Sequence, residues 1–211
     1  MKRLNYFGAV LIGLSAACQS PASDKAQLDS AVTKQDTLVS EVRKENVDSS
    51  KLVIAGKQAG RIYLGQYMEQ VAEILGRPDD GDAAMGSALG IWYEGTPKDK
   101  RNPTVIFSSY RDSNMVIKAV KQVSVAAPEF RTADGMGTGV KLAQLLKAYP
   151  SLKKTESYVS AQKDTVMVYD SVAEGIAFDI KKDTCTAITV HVKHRPANAV
   201  YLPVHPDWKR L

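Results

Sequence analysis

The sequence predicts an α+β protein: two similar units, each a helix packed on an antiparallel sheet, set behind a signal peptide and a flexible tether. Three observations predict it. Two stretches with helical apolar spacing recur 74 residues apart, and each is followed by short β-like segments joined by hairpin-length connections. Such connections suit antiparallel pairing, because parallel strands need a crossover. Residues 19–60 contain no Phe, Tyr or Trp and carry six basic and six acidic residues, too few anchors to offset the entropy of ordering much of that stretch.

Taken in order, Met1-Lys2-Arg3 is a short basic start and Tyr6 through Leu14 an apolar run. The run is shorter than the ~20 residues a spanning helix needs. Leu14-Ser15-Ala16-Ala17-Cys18 then has the small residues that precede a lipoprotein cleavage, so residues 1–17 are expected to be a removed signal peptide, with a lipid on Cys18. Residues 18–50 follow as a tether. Leu28, Val32, Val39 and Val42 would line one weak stripe if residues 26–44 turned helical.

The first α+β unit is expected over 51–130. Lys51–Ala55 and Arg61–Leu64 are β-like, and Gly65 opens a helix in which Met68, Val71, Ala72, Ile74 and Leu75 repeat at helical spacing until Gly76 and Pro78 end it. Strands are expected at Leu89–Glu94, Thr104–Tyr110 and Met115–Val125, the last two joined by Asp112-Ser113-Asn114. The second unit is expected over 131–195. Gly139 opens its helix, Leu142, Leu145, Leu146, Ala148 and Tyr149 line one side, and Pro150 stops it. Strands follow at Thr155–Ser160, Thr165–Tyr169, Gly175–Lys181 and Thr184–Val192. Superposing Gly65 on Gly139 places Met68 on Leu142 and Val71 on Leu145. Residues 196–211, with three prolines, read as a tail pinned by Trp208.

Charge narrows the partners. Without Lys2 and Arg3 the chain has 26 basic and 23 acidic residues, and Lys193, Arg195, Lys209 and Arg210 concentrate the excess at one end. No nucleic-acid face is implied. With Cys18 assigned to lipid, Cys185 has no intrachain partner, and it reads as a small buried hydrophobe.

Catalytic signatures are absent from the motifs. Asp134-Gly135-Met136-Gly137-Thr138-Gly139 precedes a helix, but it lacks the Gly-Lys-Ser/Thr of a phosphate loop and has Val140 where the dinucleotide fingerprint needs Gly. It reads as a loop with Thr138 as helix cap. On an unbroken strand Cys185 and His191 would share a face ~20 Å apart, too far for a nucleophile and base. His191 and His194 would face opposite ways, so neither a metal nor a cofactor is expected. The segment Asp79 to Gly86, with Asp79, Asp80 and Asp82, reads as a flexible acidic loop leading into Trp92 and Tyr93. Exposed aromatics beside mobile backbone anchor partners, so these five residues form the candidate binding surface, although Trp92 also suits a core.

The run Gly65 to Pro78, with Val71 and Leu75-Gly76-Arg77-Pro78, resembles the helix signature of small outer-membrane assembly lipoproteins of the BamE/OmlA type. The tandem arrangement is similar to the β-lactamase-inhibitor protein. The resemblance implies a double sheet with a concave face that meets other proteins. The departures are a second unit with Pro150 where the first has Gly76, and no disulfide framework. The expected protein is therefore a non-enzymatic, lipid-anchored binding or scaffold protein of the cell envelope, in the outer membrane of a Gram-negative bacterium, with a protein partner. The alternatives are an inhibitor of an extracytoplasmic enzyme and a protein that binds a small ligand or metal.

Overall fold

A computed structural model describes residues 48–94, 101–111, 114–160, 162–197 and 208–211. All belong to the compact unit Val42–Leu211. The signal peptide, Cys18 and nearly all of the tether lie outside the described residues, as do Asp112, Ser113 and His205.

The fold is mostly β, which corrects the expectation of two helix-on-sheet α+β units. Three short strands open it: β1 (Leu52–Ile54), β2 (Gln58–Ala59) and β3 (Ile62–Tyr63). Helix α1 (Met68–Leu75) follows, then β4 (Asp80–Ala84), β5 (Ser87–Trp92), β6 (Thr104–Tyr110) and β7 (Lys118–Val125). After β8 (Arg131–Thr132) come α2 (Leu142–Ala148), β9 (Lys153–Val159), β10 (Thr165–Ser171), β11 (Ile176–Lys181) and β12 (Thr184–His191). Near the C-terminus, β13 (Lys209–Arg210) completes the order.

The two stretches expected to make separate sheets join edge to edge. Strands β7 and β12 pair antiparallel, giving one nine-stranded sheet in the order β13-β9-β10-β11-β12-β7-β6-β5-β4, and a four-stranded sheet runs β3-β2-β1-β8. One buried cluster unites both halves: Val53 and Ile62 from the small sheet, Val71 from α1, Leu145 from α2, and Ile106, Val123, Phe178 and Ile188 from the large one. A core shared in this way leaves no boundary near residue 130.

Local chemistry explains the elements. The helices are short, of eight and seven residues, and isolated helices of that length are not stable in water. Each depends on its buried stripe, centred on Val71 and Leu145. Both begin three residues later than the glycines suggest. Tyr67 and Lys141 are the N-caps, and their backbone N–H groups donate to Gln70 Oε1 at 3.2 Å and Gln144 Oε1 at 3.3 Å, which is half of a capping box. Thr138 is not the cap. Its hydroxyl is buried without a hydrogen-bond partner.

Of the tail, residues 196–197 and 208–211 are described. Its last residues add β13 to the edge of β9, with Arg210 Nη2 3.0 Å from Glu156 Oε1 and the Trp208 ring 6.2 Å from that of Tyr158.

Two β-bulges decide which side chains reach which face. Opposite β6, Phe107 pairs with Gln122 while Ser108 pairs with Val120, so Lys121 is the extra residue of β7. Opposite β11, Asp179 pairs with Ala187 while Ile180 pairs with Cys185, so Thr186 is the extra residue of β12. Each bulge reverses the alternation of its strand.

Candidate functional site

The segment expected to be a flexible acidic loop is an edge strand. Asp80 and Asp82 lie in β4, paired with Ile91 and Leu89 of β5, and Met85 (φ 47°) with Gly86 (φ 79°) makes the two-residue turn between them. Two positive φ values are what a twisted hairpin requires. The aspartates serve nearby backbone: Asp80 Oδ1 accepts from the Gly81 N–H at 2.8 Å and Asp82 Oδ1 from Ala83 at 2.7 Å, while Asp79 Oδ2 accepts from Tyr93 at 2.9 Å.

Trp92 belongs to the core. It is 8 % exposed, its indole N–H donates to the Gly76 carbonyl at the end of α1 at 3.2 Å, and its ring occupies the space a Cβ on Gly90 would take. Tyr93 is half-buried. The large exposed side chain at this hairpin is Met85, at its tip. The structure thus keeps Asp79 and Tyr93 together, leaves Asp80 and Asp82 exposed, and withdraws Trp92 from the surface.

The Gly-rich loop before α2 spends its donors internally. The N–H of Gly135 donates to Thr132 O, that of Met136 to Thr132 Oγ1, that of Gly139 to Cys185 O and that of Val140 to Gly137 O.

Cys185 and His191 lie on opposite faces of β12, because the bulge at Thr186 breaks the parity between them. Cys185 joins the helix-side core, where burial is the main cause that pushes its thiol from 9.0 up to about 12. Thiolate chemistry at neutral pH is thereby suppressed. With Cys18 replaced by serine, alkylation of the folded protein at pH 8 is expected to be about a thousandfold slower than that of the unfolded chain. Equal rates would contradict the assignment. Because the folded value is the raised one, the neutral thiol contributes stability below about pH 9 that is lost as pH rises toward about 12.

His191 turns to the other face, and there the structure assembles what the sequence did not show. Two cross-strand rows run across that face. In one, Asp170, Ala177, Thr189, Ser124 and Val105 stand opposite one another in turn; in the other, His191, Gln122, Phe107 and Leu89 do. His191 Nε2 is 3.0 Å from Asp170 Oδ1 and its Nδ1 is 3.1 Å from Val192 O. Both ring nitrogens thus face oxygen atoms. Asp170 Oδ2 accepts the Ala197 N–H at 2.9 Å, which ties the segment after β12 back across the sheet.

That tie helps to wall a cavity of about 550 Å³, whose described lining includes Phe107, Tyr110, Lys121, Gln122, His191 and Arg195. Consecutive strand residues ordinarily face opposite ways. Lys121 and Gln122 both line this cavity because Lys121 is the bulge residue. Gln122 is 3 % exposed, and among the described residues its side-chain amide has no hydrogen-bond partner and Lys121 and Arg195 have no ion-pair partner. The described lining contains no carboxylate.

A sequence signal for this site existed. In Lys118–Val125 the apolar positions Val120, Val123 and Val125 change parity across the polar pair Lys121-Gln122, which is how a bulge reads. Asp170 gave no comparable signal.

No three of the His, Cys, Asp and Glu side chains among the described residues come together as a metal site. No described helix is long and apolar enough to cross a membrane.

Comparisons with known proteins give little further. No family model matches the chain, and no curated protein does. Among solved structures it is similar to an extracellular protein containing an SCP domain from Bacillus anthracis str. Ames, at 13 % identity and a TM-score of 0.40. The similarity covers 74 % of this chain and 51 % of that protein, so this chain spans about half its length. With a mostly-β fold and no family match, the resemblance to BamE/OmlA-type lipoproteins and to a tandem inhibitor is withdrawn.

Proposed function

We propose that this chain is a lipid-anchored protein of the cell envelope that binds a ligand without transforming it, and that the cavity over β6, β7 and β12 is its binding site. The observation that carries the reading is the set of uncommitted donors on one cavity wall: Lys121, Gln122 and Arg195. Polar side chains that line a cavity of ligand size, and have no protein partner among the described residues, are available to a ligand. The Cys185 thiol lies in the core, and the His191 nitrogens face Asp170 and Val192.

The export and anchor come from the sequence, through the processing site at Cys18. Globomycin, which blocks lipoprotein signal cleavage, is the test. A shift to the uncleaved precursor and loss of lipid label in Cys18→Ala support the anchor; an unshifted band and unchanged membrane association contradict it.

A second reading has its own observation. Strand β4 is a mostly exposed edge of the nine-stranded sheet with Met85 at its tip, and edge strands accept a partner's strand. On this reading a protein partner docks there, the inhibitor of an extracytoplasmic enzyme being one form. Gentle detergent extraction followed by mass spectrometry separates the forms: a stoichiometric membrane partner indicates a scaffold and a soluble hydrolase an inhibitor. Retention of either by an Asp82→Ala, Met85→Ala double variant excludes the hairpin.

A further inference from the structure

We infer that the cavity takes a small organic anion, a carboxylate or phosphate monoester carrying an apolar portion. The inference rests on the cavity being a binding site and adds the chemistry of what it binds.

The walls divide by character. Lys121 and Arg195 bring two cations from different segments, and the described lining holds no carboxylate beside them. Like charges held near one another repel, so the arrangement becomes favourable when an anion enters between them.

Gln122 adds specificity. Its amide carries two N–H donors as well as an acceptor oxygen, and it sits between the cations and the apolar row. Next to it across the sheet, Phe107 is 6 % exposed and lines the cavity, with Tyr110 three residues on. A ligand placed with its acidic oxygens on Lys121, Arg195 and the Gln122 amide would lay its carbon chain along Phe107 and Tyr110. A volume of about 550 Å³ exceeds what a bare inorganic anion fills, and it lies within the usual range of ligand cavities.

The test uses the full-length protein in mild detergent, with calorimetric titration of hexyl phosphate, hexanoate, hexylammonium and hexanol. Soluble dihexanoyl phosphatidic acid, itself a phosphate monoester, is added as a lipid-headgroup arm. The two organic anions, or the anionic lipid, are expected to bind, and the amine and alcohol are not. Preference for the lipid over hexyl phosphate identifies a headgroup as the source, and the reverse a free metabolite; either supports the inference. Lys121→Gln and Arg195→Gln are each expected to weaken binding about tenfold, and together about a hundredfold, the scale of charge-assisted contacts. Circular dichroism checks that both variants fold.

Hexanol or hexylammonium binding as tightly as the anions, with the double variant unaffected, would overturn the anion and leave the cavity as a binding site. No heat from any probe at millimolar concentration would overturn both.

Discussion

Asp170→Ala is expected to destabilise the protein by about 3 to 5 kcal/mol, the cost of leaving two buried hydrogen-bond partners without their acceptor. The side chains of Asp170 and His191 are 1 % and 3 % exposed, so solvent cannot take over the lost contacts. Two partners are orphaned at once, His191 Nε2 and the Ala197 N–H. For a chain of this size the loss corresponds to a fall in Tm of roughly 6 to 20 °C. Asp170→Asn keeps an acceptor oxygen for Ala197 and is expected to lose less. Chemical denaturation of the three proteins gives the comparison, and an alanine variant within about 1 kcal/mol of the parent would mean that the pair is not buried as described.

Phe178→Ala is expected to cost about as much, 3 to 5 kcal/mol. Phe178 is the largest of the fully buried side chains among the described residues, and its ring lies 5.4 Å from that of Tyr149 after α2. The cluster it belongs to also contains Val53, Val71 and Ile106. Unfolding should therefore remain one transition, moved as a whole, because a two-state domain responds globally to a hole in a shared core. Two transitions, with only one moved by the substitution, would restore the two-unit organisation that the joined sheet argues against. Phe178→Leu fills most of the space and is expected to be milder.

Much of the secondary structure was legible because periodicity reports it directly. The helical stripes through Val71 and Leu145, and the strands from Thr104 and Thr165, follow from side-chain spacing alone. Sheet assembly did not follow. Whether two runs of strands close as separate sheets or meet edge to edge depends on the pairing of Val123 with Val190 and its neighbours, which no local pattern encodes. The acidic segment was misread for a related reason: Asp80, Gly81 and Asp82 are poor strand formers, and they are held extended by pairing with β5. For Trp92 the sequence offered both a surface anchor and a core position, and β5 places it in the core, its indole N–H bonded to the Gly76 carbonyl.

The site was the least legible part. It depends on strand parity, and a single bulge residue changes parity for everything beyond it. Reading β12 as unbroken put Cys185 and His191 on one face; the extra Thr186 puts them on two. The Lys121-Gln122 pair carried the same information in β7. Arg195 reaches the cavity only because Asp170, 25 residues earlier in the chain, holds Ala197.

The most direct test of the binding claim is an intact-mass comparison of the protein purified from its membrane fraction, measured first under native and then under denaturing conditions. The account predicts a native mass larger than the denatured one by a small acidic molecule, and loss of that difference in Lys121→Gln, Arg195→Gln. Identical native and denatured masses, in the parent as in the variant, would contradict it.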